Sequence, residues 1–396
     1  MTSNSALSVS LKFGSSVWNL HADGATCINS QLPPLENLHE AVDAALSKPL
    51  DFASIDKMIV AGDTVALAVD PALPSLTKVV GSIAQWLVEH GTTPESLQVI
   101  LPGSQQQVES LSEQLKLSGL SAVAVVRHDV DDSNCVSYVA ADEDAQPIYL
   151  NRALVDADVV IPISCARSSG AIDYLGAFSI FPLFSNRDIR GQLYCYARLS
   201  NEAQHQHLID RSNQAAWWLG VMVAIQVLPT ENDQVAGVVC GLLDTVDNSG
   251  QSSLDALIRE TAESELVIAC VDSPEQTWAD LAKALHIAVR YCSSGGSIVL
   301  CTQLNESLGP ALKRLRDGQS SREQIERRVS KDNTDDALAA GAILEATRDR
   351  HVYLVSNHRA ATVESLGMGV LADEHELAHL VKQHSRYLVI QSAQHA

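Results

Sequence analysis

The pattern His375-Glu376-Leu377-Ala378-His379 is the sharpest candidate for chemistry in the chain. On a helix, two histidines four apart present both imidazoles to one metal ion, with the glutamate as general base. The third ligand is missing. No Asp or Glu follows Glu376, and His384 does not fit the extended form that adds a later histidine. The segment reads as the last helix of an α/β unit, so a solvated helix face is expected and no metal ligand is assigned. His205 and His207 would share a side on a strand but not on a helix, and no acidic or cysteine partner is near. Gly295-Gly296 precedes a strand, whereas a dinucleotide-binding fingerprint follows one, so the pair reads as a turn. No phosphate-binding loop of the Walker type and no nucleophile elbow occurs. Residues 313–331 hold seven basic residues against three acidic ones, which reads as a solvated helical face with internal ion pairs.

The elements that must position any site alternate. Apolar β-rich runs at 65–69 (VALAV), 97–101 (LQVIL), 122–126, 158–163 (DVVIPI) and 221–228 are separated by helical patterns at 76–88 and 105–117. Ser75 is the expected cap of the first helix and Gly91 its stop. The second half repeats the scheme. Strands are expected at 266–270, 297–301, 352–355 and 387–390, and helices at 277–291, 334–348 and 373–383. The acidic stretch 129–146 reads as loop with an edge hairpin. Such alternation implies right-handed crossovers and mostly parallel sheets. The polar stretch 244–251 (DTVDNSGQ) is the expected linker between a domain at 1–250 and a second at 251–396, with the last strand free to return to the first. In parallel sheets, ligands sit at the carboxyl ends of strands. That singles out Asp70, Gly103 and Ser104, the segment 164–167 with Arg167, Asp272 and Ser273, and Thr302 and Gln303.

Composition bounds the function. The 396 residues carry 27 Lys and Arg against 48 Asp and Glu, a net charge of −21. That balance argues against nucleic acid, whose binding rests on phosphate neutralisation, and against anionic membranes. It leaves room for an anion in a local basic pocket. The longest nearly apolar run, residues 215–228, is 14 residues with Gln226 inside it, too short for the roughly 20 of a membrane span. The first residues show no basic stretch before an apolar core, so a cytoplasmic protein is expected. None of the eight cysteines forms a CxxC pair, and several lie in strand-like runs, as buried free thiols do in a reducing compartment.

Taken together, several segments resemble the nickel-dependent lactate racemase family, whose members carry a nickel-pincer nucleotide. DTVALAVDPALPSLTKVV resembles the family's strand, Asp and Pro-containing turn. LQVILPGSQQQ resembles the strand that ends in a Gly-Thr-His-Arg turn. PIYLNRALVDADVVIPIS resembles the Asn-Arg, Ala-Asp strand signature, and the stretch from LVIACVDSP to VLCTQL the strand, helix and strand of the C-terminal domain. HVYLVSN and the final helix and strand extend the likeness over roughly residues 55–392. It implies two α/β domains with mostly parallel sheets and a cleft between them.

The same likeness marks what this chain lacks. Phe178 stands where the family has the lysine that binds the cofactor covalently. Ser168 lies near the place of one catalytic histidine, and Gln105, next to Ser104, lies in the turn that holds the other. The segment Gly191 to Tyr196 carries Cys195 but no nickel-ligating histidine. Glutamine is no general base near neutrality. Leu73 replaces an Arg of the family and Pro74 is kept. Asp70 and Lys283 match family positions, and Asp280 stands for a glutamine. The resemblance therefore implies a divergent scaffold that no longer holds the nickel-pincer nucleotide covalently and has no assigned metal. It would bind a small anionic molecule with Asp70, Lys283 and Asp280 in catalytic positions and Arg167, Ser168, Gln105 and Ser104 around the substrate. The alternative is an active racemase, epimerase or other enzyme acting on a small 2-hydroxy acid. Any resident cofactor stays unknown, and a homo-oligomer is left open.

Overall fold

The computed structural model describes residues 8–21, 24–28, 32–176, 179–193, 195–258 and 262–395. Phe178 lies outside them, as does the start of the chain. Strands in chain order are β1 (Ser8–Phe13), β2 (Ser16–His21), β3 (Ala25–Ile28), β4 (Val65–Val69), β5 (Leu97–Leu101), β6 (Ala124–Arg127), β7 (Val136–Ala141) and β8 (Pro147–Asn151). They continue with β9 (Val159–Cys165), β10 (Val223–Thr230), β11 (Gln234–Leu242), β12 (Ser264–Cys270), β13 (Cys292–Cys301), β14 (His351–Val355), β15 (Gly369–Val370) and β16 (Tyr387–Ile390). Two six-stranded sheets organise the protein, in the orders β11-β10-β9-β4-β5-β6 and β15-β14-β13-β12-β16-β3. The second is parallel throughout, and the first is parallel except for the β10–β11 hairpin. The mixed α/β class with mostly parallel sheets expected from the sequence is what forms.

Local sequence accounts for most elements. β4 and β9 are buried at every position, as continuous apolar runs in a covered parallel sheet must be. The helix Leu76–Glu89 buries Leu76, Val79, Val80, Ile83, Ala84 and Leu87, one face at helical spacing. In the second half, the start of the helix Trp278–Tyr291 is fixed by a capping box between Thr277 and Asp280. Residues 129–146 hold the expected hairpin strand, with β7 and β8 antiparallel.

Five expectations are corrected. Ser75 does not cap its helix: it sits at φ 48° without a capping bond, because its Oγ donates to the carbonyl of Asp233 at 2.8 Å. Residues 244–251 are no linker but part of the helix Leu243–Ile258, held by buried Val246 and by Leu254 against Ala166 and Leu228. The last strand does not return to the first sheet, since β16 pairs with β12 and β3. β3, from the start of the chain, lies in the second sheet, where β1 and β2 also bury Leu11, Phe13 and Leu20. Gly295-Gly296 lies inside β13, where Gly295 at φ 77° lets the strand bulge between the Cys292 and Ser297 pairings.

One apolar cluster joins the halves. It runs from Ala66 and Ile100 of the first sheet through Phe181, Phe184 and Tyr196 to Val267 and Ile298 of the second. Among the described residues, no helix is long and apolar enough to cross a membrane.

Candidate functional site

Strand order reverses once in each sheet. In the first, β4 has β5 on one side and β9 on the other; in the second, β12 has β13 on one side and β16 on the other. Such switch points leave a crevice at the carboxyl ends of the strands. Asp70 follows β4 and Cys165 to Arg167 end β9. Asp272 follows β12, and residues 391–395 follow β16. Both sets, through Asp70, Arg167, Gln394 and His395, line one cavity of about 1090 Å³.

Its floor is a chain of charges. Arg167 Nη1 lies 2.8 Å from Asp70 Oδ2, and Arg167 Nε lies 2.8 Å from Asp173 Oδ2. Lys283 Nζ lies 2.9 Å from Asp280 Oδ1 and 3.9 Å from Asp173 Oδ2. Asp173 therefore joins the cation of the first half to that of the second. Burial alone would raise the Asp173 carboxyl, but Arg167 and Lys283 outweigh it and hold it below the usual carboxylate range. Asp280 is treated the same way, lowered against its burial by Lys283 and the Thr277 bonds.

Two expected catalytic carboxylates are fully engaged. Asp70 Oδ1 accepts from the Ala72 amide at 2.9 Å, and Oδ2 from Arg167 and the Cys165 amide. Asp280 Oδ2 accepts from Thr277 while Oδ1 holds Lys283. Both orient the cations. Arg167 is different: its Nε and Nη1 are occupied, and Nη2 makes no hydrogen bond to the described residues.

The remaining predicted residues divide. Ser104 lines the cavity, but its Oγ caps the helix Gln105–Leu117 through the Gln107 amide. Gln105 does not line it; it is exposed and bonds Glu109, because the helix turns it outward and brings Gln107 to the cavity instead. Ser168 is buried outside the lining, its Oγ without a hydrogen-bond partner among the described residues. His375 and His379 are exposed, with His379 near Gln383, so the helix face is solvated as expected. His205 and His207 lie on the helix Glu202–Trp218 and face different partners, the Tyr174 carbonyl and Asp144. The basic island pairs internally, as in Arg322–Glu326 and Arg328–Asp317, and at its edge in Arg314–Asp332.

Sequence reasoning missed Asp173, Gln394 and His395. The only signal for the last two was a polar QSAQH tail after the final strand. Asp272 holds that tail: it accepts from Ser392 Oγ at 2.7 Å and Gln394 Nε2 at 2.6 Å, and from the Asn232 amide of the first half at 2.7 Å. His395 Nδ1 lies 3.7 Å from Cys165 Sγ. Burial first, then Lys283, push the His395 imidazole down to about 4. Burial raises the Cys165 thiol to about 12.

Asp233, on the rim in the β10–β11 turn, is pushed up by burial to about 6 from a usual 3.8. The folded state therefore holds a proton that the unfolded chain releases, and stability falls as pH rises from about 4 to 6. Asp233→Asn keeps an acceptor for the Ser75 amide and suits the positive φ of 56°. It should stabilise the protein at pH 7 by about 1–2 kcal/mol in urea unfolding, and by less at pH 5. An equal effect at both values, or none at pH 7, would count against this reading.

An α/β protein with two parallel-type sheets and a polar cleft where both switch points meet is the class these observations define. Residues 21–176 match the family model for the lactate racemase N-terminal domain. The lactate racemase apoprotein of Thermoanaerobacterium thermosaccharolyticum superposes with a TM-score of 0.77 at 13% identity, over 98% of this chain and 99% of that one. A structural-genomics protein of Thermotoga maritima does so at 0.63 and 12%, over 90% and 97%. No curated protein matches the sequence significantly. The chain thus shares the lactate racemase fold over nearly its whole length, and residues 21–176 match that family's N-terminal domain.

Resemblance to that family implies a nickel-pincer nucleotide, and the donor set does not fit it. At the positions aligned by resemblance, Ser168 and Gln105 offer no imidazole and neither reaches the cavity, while Cys195 turns its thiol toward the Gln192 carbonyl. Phe178, outside the described residues, has no amine. Expressed in a host that makes the cofactor, the protein should show its plain polypeptide mass and far less than one nickel per chain. A covalent adduct with bound nickel would overturn the assignment of these positions.

Proposed function

We propose that the cleft binds a small anionic molecule, of the 2-hydroxy-acid kind, on Arg167 and Lys283, and that the protein is not an active nickel-pincer racemase. The observation that carries this is the convergence of the two cations on Asp173 at the floor of the cavity, with Arg167 Nη2 left for a ligand. A guanidinium fork and an ammonium suit a carboxylate. The lining as a whole is not basic, with eight carboxylates against five Lys and Arg. With the net charge unfavourable, binding has to rest on directed hydrogen bonds from the two cations, which favours small ligands over extended polyanions. The cleft joins the two α/β units, divided after the helix Leu243–Ile258, which packs on β10 and β11, with β1–β3 in the second unit.

The test is a thermal-shift screen with small 2-hydroxy acids, sugar acids and nucleotides. At least one small acid should raise the melting temperature of the wild type, and Lys283→Met, which keeps the aliphatic stem, should lose most of that response. A response that survives Lys283→Met unchanged would place the ligand elsewhere.

A further inference from the structure

We infer that His395 is the proton-accepting member of this anion site, so that an anion seated on Arg167 and Lys283 binds together with one proton carried on the His395 imidazole. This rests on the anion reading of the cleft and specifies how the site takes its ligand. His395 lies at the switch point of the second sheet, its backbone amide held by the Ser392 carbonyl at 2.9 Å. Its ring lines the cavity, and Nδ1 meets Cys165 Sγ of the other half at 3.7 Å. Cys165 is itself tied to the floor, its amide to Asp70 and its carbonyl to Arg167. Nε2 has no hydrogen-bond partner among the described residues.

Charge counting supplies the reason for a proton. Asp70, Arg167, Asp173, Lys283 and Asp280 form one connected group with three carboxylates and two cations. An added anion makes it more negative, and one proton on the neighbouring imidazole cancels that cost. The groups that face His395 are Lys283 and Asp280 from the helix Trp278–Tyr291, Asp272 from the end of β12, Arg167 from the segment after β9, and the Cys165 thiol. Burial and then Lys283 keep the imidazole neutral near pH 7. An anion on Lys283 and Arg167 offsets both cations, and the protonated ring becomes a third donor to the ligand. The balance is simple: one proton passes from solvent to a ring nitrogen, and no covalent bond is made or broken.

The experiment is isothermal titration of sodium glycolate, L-lactate, D-lactate and L-malate in two cationic buffers of different ionisation heat. For an acid that binds, uptake should approach one proton per ligand at pH 5.5, with affinity rising about fivefold or more from pH 7.5 to 5.5. Asp233 titrates near the same range, so the variant decides: His395→Gln should abolish the uptake and flatten the pH dependence while Asp233 is intact. Ring-nitrogen NMR of the wild type gives a second readout, in which one of the 13 histidines turns from neutral to charged on saturation at pH 5.5. Binding without proton uptake, uptake retained in His395→Gln, or no histidine changing state would each overturn the inference while leaving the anion site standing. Failure of all four acids to bind the wild type would remove the anion reading and this inference with it.

Discussion

Arg167→Met should lower the free energy of unfolding by about 3–5 kcal/mol at pH 7, because it strands two buried carboxylates. Arg167 is 10% exposed, Asp70 4% and Asp173 5% in their side chains, so water cannot replace the lost guanidinium. Methionine fills a similar volume, so the loss reports charge rather than a cavity. The sign with pH follows from Asp173. Its folded pKa lies below the usual 3.8, so its contribution is fully present above that value and is lost as pH falls through the lower, folded one. Without Arg167 the carboxyl titrates higher, and acid unfolding should begin at a higher pH. The double variant Arg167→Met, Asp173→Asn should lose less than the sum of the single losses. Urea unfolding with a loss under about 1 kcal/mol for Arg167→Met would show the cluster to be solvated.

Asp272→Ala should cost about 2–4 kcal/mol, since three donors that now converge on one buried carboxylate lose their acceptor. Those donors come from the tail, through Ser392 and Gln394, and from Asn232 of the first half. The substitution should therefore also release the tail that carries His395, and with it the response to any acid found in the thermal-shift screen. Hydrogen exchange over residues 391–395 checks this directly. Protection there that matches the wild type would show that β16 alone orders the tail. Asp272→Asn retains an acceptor and should fall between the two.

Much of the fold was legible because it is written locally. The run VALAV, short and rich in β-branched residues, reads as a covered strand, and the stripe from Leu76 to Leu87 as a one-faced helix. The helix at 243–258 was not legible. Its segment is rich in Asp, Asn, Ser and Gly, which favour turns, and only burial of Val246 and Leu254 against neighbouring strands recruits it into a helix. β3 was missed for a similar reason: its four residues, which include the exposed Cys27, show no periodicity, and pairing with β16 makes them a strand.

The site divides along the same line. By itself the sequence determined that Asp70 and Arg167 stand at strand ends and that Lys283 lies on a helix, since each depends only on neighbours in the chain. The family resemblance, rather than the residues alone, implied that Phe178, Gln105 and Ser168 stand where other side chains would be expected. Only the tertiary structure decided that Arg167 and Lys283 share Asp173, that Asp70 and Asp280 are spent on orienting cations, and that His395 enters the cleft. Those outcomes depend on strand order, β16 lying between β12 and β3 and β9 beside β4. Strand order is set by pairing between segments far apart in the chain, and residue spacing carries no record of it.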